Sequence, residues 1–137
     1  MKAISLAAAA LLALGVGACG DGGSAGPATL TGGVWVVEEI GGTKMTAPAP
    51  TIEFRPDGRF GGVASCNSYG GSYTDEGGRV GLSGVFATKM ACEPRRMAQE
   101  KALFDALGSG GGYSVGAERL TIEGAQRIEA KRVLAGR

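Results

Sequence analysis

Three cysteines, one glutamate inside an apolar helical stripe and a complete absence of histidine bound the chemistry open to this chain of 137 residues. A cysteine nucleophile at Cys66 or Cys92 needs a neighbouring base and a reduced thiol, and the commonest base is missing. The same absence leaves no set of nitrogen and sulfur ligands for zinc, and no Asp-rich loop suggests calcium. No catalytic residue, metal or cofactor is therefore expected. The most site-like polar residues are Asn67, Tyr69, Tyr73 and Glu100. Asn67 suits a turn made through its own side chain. Tyr69 and Tyr73, four apart on a strand, share a face and can pack their rings with hydroxyls at the rim. A ligand-contacting role for these residues stays open beside that structural one.

Glu100 is the most unusual residue. Residues 94–107 read as a helix, with Pro94 in a good first-turn position and the glycine-rich run from Gly108 to end it. At about 100° per residue, Met97, Leu103, Phe104 and Leu107 form one stripe, and Glu100 falls within it while Lys101 and Asp105 lie aside. A buried carboxylate is costly unless it is paired and hydrogen-bonded. Glu100 is thus expected to accept hydrogen bonds from the backbone around Cys66-Asn67-Ser68, or to pair with a cation such as Lys89. A catalytic carboxylate would need a second acid or base beside it, which the sequence does not place there. Two further patterns are chance products of 26 glycines. Residues 15–20 fit Gly-x-Gly-x-x-Gly outside any strand-to-helix context. Residues 112–116 fit Gly-x-Ser-x-Gly without the histidine that motif needs.

The elements that position these residues are short. Residues 34–40, 51–54, 59–63, 69–74, 79–82, 85–88, 113–115, 120–122 and 128–134 read as strands, with the loop at 43–50 running extended over the surface. Asp57-Gly58 is a strong hairpin signal, and residues 75–78 make another turn. About eight short strands and one amphipathic helix predict a mainly β (α+β) domain, an antiparallel curled sheet or open barrel with the helix packed over an end or seam. Trp35, Phe54, Phe60, Phe86 and Phe104 are candidates to fill a barrel this small.

The N-terminus carries the strongest localisation signal. After Met1-Lys2, residues 4–14 are almost unbroken Ala and Leu, too short for a bilayer span of about 20 residues but suited to a signal peptide. Val16-Gly17-Ala18-Cys19 follows, and resembles a bacterial lipobox with Cys19 as the lipidated first residue. This divides the chain into a signal peptide (1–18), a lipidated cysteine and flexible tether (19–29) and a folded domain (30–137). Lipidation removes Cys19 from the pairing count, leaving Cys66 and Cys92, and an exported location favours a disulfide between them. By resemblance to lipoprotein sorting, Gly20 after the cysteine favours the outer membrane. Basic and acidic residues nearly cancel, 14 against 13, and no basic block exists, so nucleic acid is not an expected partner.

The segment Cys66-Asn67-Ser68-Tyr69-Gly70-Gly71-Ser72-Tyr73, the later Met90-Ala91-Cys92-Glu93-Pro94 and the helical Glu100 together resemble the META domain, the domain of the heat-shock protein HslJ and of many bacterial envelope lipoproteins. Trp35 in a first strand and the Asp57-Gly58 turn match as well. The resemblance covers residues 30–133 and implies a fold, with no established reaction to carry over; it implies a structural role for Glu100. The expectation is a non-enzymatic, lipid-anchored protein at the periplasmic face of the cell envelope, binding or supporting another envelope component, with a stress-related role implied by HslJ. The alternatives are a small-ligand or lipid carrier using the barrel interior, and a modulator of an exported enzyme. An empty apolar interior would favour the carrier, and a filled one the interaction module.

Overall fold

The computed structural model describes residues 29–133; the signal peptide, Cys19 and the tether up to residue 28 lie outside the described residues. Nine strands and one helix follow in order: β1 (Val34–Ile40), β2 (Thr43–Lys44), β3 (Thr51–Phe54), β4 (Arg59–Val63), β5 (Ser68–Glu76), β6 (Arg79–Ala87), α1 (Pro94–Leu107), β7 (Gly110–Val115), β8 (Arg119–Glu123) and β9 (Arg127–Val133). Each strand from β3 to β9 pairs antiparallel with the next, β1 pairs with β3, and β9 pairs back onto β1 from Val34↔Val133 to Ile40↔Ile128. The sheet is therefore a closed barrel of eight strands, with β2 as an extra strand on the end of β1.

Alternation along the strands fills this barrel. In β1 Trp35, Val37 and Ile40 are buried, in β3 Ile52 and Phe54, in β8 Leu120 and Ile122, and in β9 Ile128 and Ala130. Phe54 packs edge-on against Tyr73 at 5.0 Å between centroids, and Phe60 against Tyr69 at 6.1 Å. The connections sort by end. The Asp57-Gly58 hairpin, the Gly77-Gly78 turn and the turn between β7 and β8 lie at the lower end, where Asp57 Oδ1 accepts from the Arg59 amide (3.0 Å) to tighten its turn. At the upper end lie the β1–β3 connection with β2, the β4–β5 loop, the β8–β9 turn and α1.

Both mouths are covered. At the upper one, α1 buries Gln99, Glu100, Leu103, Ala106 and Leu107, and its Phe104 stands edge-on to Tyr69 at 5.4 Å. The β8–β9 turn comes so close that a Cβ on Gly124 would meet the Ala106 carbonyl at 2.6 Å. At the lower mouth, Leu30 is buried and its carbonyl accepts from Trp35 Nε1 (2.9 Å). Arg132 stacks on the Trp35 ring at 4.3 Å and donates to the carbonyls of Thr29, Thr31 and Gly32.

Three sequence expectations need correction. Residues 79–82 and 85–88 are one strand, β6, because Gly84 adopts a left-handed backbone (φ 62°) and the register slips by one residue there, bending the strand without ending it. The surface loop at 43–50 opens with β2, since Thr43 and Lys44 fold back onto Ile40 and Glu39. Phe86 does not fill the barrel: it is 59 % exposed. It pairs with Gly70 and its ring lies over that residue's backbone on the outer face, within 2.9 Å of where a Cβ would stand.

Candidate functional site at the helix end of the barrel

The residues singled out in the sequence converge on the upper mouth. The β4–β5 loop turns at Ser65, whose φ of 74° is left-handed, rare for a residue with a side chain. The left-handed residue is thus Ser65, two positions before the expected turn residue Asn67. The turn places Cys66 against Cys92, and the two are bonded, with Cα atoms 6.0 Å apart and a sequence separation of 26. The disulfide joins the turn to the residues that start α1.

Asn67 is buried at the centre of the cluster. Its Oδ1 accepts from the Met90 amide (2.6 Å) and from Thr88 Oγ1 (2.9 Å), and its Nδ2 donates to the Met90 carbonyl (3.1 Å). Glu100 reaches it from the helix. Oε1 accepts from the Asn67 backbone amide (2.8 Å) and Oε2 from Asn67 Nδ2 (3.0 Å). The carboxylate, 8 % exposed, is therefore held by two donors of one residue. Lys89 is exposed and forms no ion pair with Glu100 among the described residues.

A second buried polar residue of α1, Gln99, is one that the sequence does not single out. Its Oε1 accepts from the Thr46 amide (2.7 Å) and hydroxyl (3.1 Å), while Nε2 donates to the Thr46 carbonyl (3.0 Å) and to Ser65 Oγ (3.1 Å). Arg96 completes the set, donating through Nε (3.0 Å) and Nη2 (2.8 Å) to the Ser65 carbonyl. The strained turn is thus gripped by Arg96, Gln99 and Glu100, from little more than one turn of the helix. The helix stripe is rotated relative to expectation: Gln99 lies in it, and Met97 is half-buried at its edge, accepting a long contact from the Cys92 amide through sulfur (3.4 Å).

The tyrosines serve as donors to backbone. Tyr69 Oη donates to the Thr51 carbonyl (2.7 Å) and Tyr73 Oη to the Arg55 carbonyl (2.6 Å), both on or beside β3. Burial pushes both phenols above their ordinary range, for Tyr73 with help from Asp75 and Asp57. In this arrangement both hydroxyls serve as hydrogen-bond donors. On the outer surface Tyr113 donates to Asp75 (2.6 Å), and that bond, with some burial, moves its phenol up to about 12.

Chemically, the cluster is a closed exchange of donors and acceptors. Each polar group of Asn67, Gln99 and Glu100 meets another group of the same chain, and no group of three or more potential metal ligands is found among the described residues. What it does is fasten α1 across the barrel mouth.

A closed eight-stranded antiparallel barrel, with a disulfide-tied turn locked to a capping helix through an asparagine and a glutamate, defines a class of small β domains. The sequence matches the META domain over residues 28–135, and the chain belongs to that family. No curated protein matches it. Two solved structures share the fold. One, an NMR structure, is 24 % identical with a TM-score of 0.64, covering 75 % of this chain and 91 % of the other. The second, an NMR structure of a protein from Burkholderia xenovorans, is 19 % identical with a TM-score of 0.57, covering 76 % and 83 %. At those identities the likeness extends to the fold alone.

Proposed function

We propose that this is a lipid-anchored protein on the periplasmic face of the bacterial cell envelope, whose META domain works as a non-enzymatic binding or structural module. The carrying observation is the filled barrel. Trp35, Ile52, Phe54, Phe60, Leu120 and Ile122 occupy its interior fully buried, and α1 and Leu30 close its two ends. A lipid or small-ligand carrier using the interior would have to expel these side chains. The clefts that do exist, such as one of about 350 Å³ between α1 and the Thr43–Thr46 segment, lie between surface elements. The polar cluster supports the same reading, since its groups are already satisfied by one another.

Among the described residues no helix is long and apolar enough to cross a membrane, and attachment is assigned to a lipid on Cys19. The outer membrane rests on Gly20, and a stress-related role on the resemblance to HslJ. The test is crosslinking of the anchored protein in living cells followed by mass spectrometry, with native mass spectrometry of the purified domain alongside. A reproducible envelope-protein partner supports the module, and if it is an exported enzyme, its assay with added domain reveals a modulator. A stoichiometric co-purified lipid with no protein partner would overturn the reading in favour of the carrier.

A further inference from the structure

The upper half of β6 has a strand neighbour on one side only. Lower down, Arg79, Val80 and Gly81 pair with Gly112, Gly111 and Gly110 of β7, and one more bond joins the Leu82 amide to the Ser109 carbonyl (2.9 Å). Above that level β7 does not continue, a cleft separates β6 from the C-terminal end of α1, and among the described residues 83–87 pair with β5 alone. The bulge at Gly84 sets which backbone groups face the gap. Leu82 directs its N–H toward β7, but beyond the bulge the Thr88 amide donates to Ser68 of β5 (3.0 Å), and Phe86 pairs with Gly70. By the alternation of an antiparallel ladder, the N–H and C=O of Val85 and Ala87 point away from β5 into the seam.

Apolar surface accompanies this free edge. A cleft of about 320 Å³ beside it is lined by Val85, Phe86, Ala87, Phe104, Leu107 and Gly108. Val85 is 44 % exposed, and Phe86 more so. Charge and proline, two of the devices that blunt an open edge, are absent from residues 83–87; a third, a bulge, is present at Gly84 and bends the strand just before the free groups.

We propose that this seam receives an extended peptide segment of another protein, added as a strand along residues 85–87 with one of its apolar side chains seated against Phe104 and Leu107. The inference rests on the binding-module reading and names the chemistry of the partner. The argument for this occupant is complementarity of charge. Two N–H and two C=O groups spaced one strand repeat apart, roughly 6–7 Å, present alternating partial charges that an extended backbone matches group for group. A lipid chain would fill the cleft but leave these groups buried and unpaired, which is unfavourable. The chain's own tether is a poor occupant. It joins the domain at Thr29, at the opposite end of the barrel, and residues 20–28 carry no large apolar side chain.

The experiment uses the isotope-labelled mature protein and a pool of capped nine-residue peptides that alternate Thr with Val, Ile or Phe. The expected result is saturable amide shifts and slowed hydrogen exchange centred on Val85 and Ala87. Binding should weaken at least tenfold when alternate peptide amides are N-methylated. Ala87→Pro removes one edge donor, and Val85→Lys places a charge in the cleft without altering the backbone; each should weaken binding at least tenfold in a folded protein. No binding from the pool, shifts centred on another face, or equal binding of N-methylated peptides would overturn the proposal. So would protection of Val85 and Ala87 without peptide in a concentration-dependent dimer, which would make a second copy the occupant. A protein partner crosslinked at another face, with a seam that takes no peptide, would sink this inference and leave the binding-module reading standing.

Discussion

At the scale of single residues, the pairing of Glu100 with Asn67 makes an unusual demand. The Asn67 amide is fixed in orientation, because Oδ1 accepts from the Met90 N–H while Nδ2 donates to the Met90 carbonyl. Both groups facing Glu100 are then donors, and only a group with two acceptor oxygens satisfies them. Glu100→Gln keeps the shape but turns its own NH2 toward Asn67 Nδ2 or toward the Asn67 amide. It should cost about 1–2 kcal/mol, and Glu100→Leu, which leaves two donors unsatisfied, about 2–4 kcal/mol. Urea denaturation of both variants checks the order; a leucine variant as stable as the parent would end the idea of a buried lock. Glu100 was legible in the sequence because a charge inside an apolar stripe has few explanations. Gln99 was not, since a neutral amide beside a stripe reads as its polar border. Its partners Thr46 and Ser65 lie 53 and 34 residues away, a separation that periodicity does not register.

At the scale of elements, the disulfide and the β1–β9 seam carry separate predictions. Closing a loop of 26 residues stabilises by roughly 3–4 kcal/mol in the chain-entropy model. The double variant Cys66→Ala/Cys92→Ala should lose about that much in denaturant, with α1 the first element to gain hydrogen-exchange rate, as the bond ties the Ser65 turn to its start. Unchanged stability in the double variant would mean that the polar cluster alone holds the helix. Across the seam, Glu39 stands opposite Glu129. Hydrogen bonding to Glu129 and then partial desolvation raise the Glu39 carboxyl above its ordinary 4.5, against the opposing pull of Lys44 and Arg127. The folded state therefore holds a proton that the unfolded chain releases, and this contribution to stability fades as pH rises from 4.5 upward through the raised value. Glu129→Gln should flatten that fall, measured by thermal unfolding across the acid range; an unchanged slope would show that the pair does not set it. Most strands were readable from alternation and turn residues. β6 was read as two strands because Gly84 looks like a stop, and the difference between a bulge and a turn lies in whether the partner strand continues, which is β5 here.

At the scale of the whole molecule, the META-type residues pointed to a curled sheet with one helix. They left open whether the barrel closes, because closure joins β1 to β9 through pairs almost a hundred residues apart, from Val34↔Val133 inward. Closure also fixes which end of the barrel the described chain enters and leaves by. Thr29 and Val133 both lie at the lower end, whereas α1, the disulfide and the β6 seam lie at the upper one. With a lipid on Cys19, the proposed anchor would join the domain at the end of the barrel opposite the helix. The junction between tether and barrel is stiff at its barrel side: Arg132 holds Thr29, Thr31 and Gly32 by their carbonyls while Leu30 seals the lower mouth. Two variants separate the anchor from the seal. Leu30→Ala should open a cavity and lower stability by about 2–5 kcal/mol while leaving the protein in the membrane fraction. Cys19→Ser should leave the fold intact and either release the protein into the soluble periplasmic fraction or stall its processing, because each buried lipid methylene contributes about 0.8 kcal/mol to membrane binding and the variant has none. Cell fractionation with melting curves on both proteins reads the two effects independently. A Cys19→Ser protein that matures normally and still pellets with membranes would show that the anchor lies elsewhere.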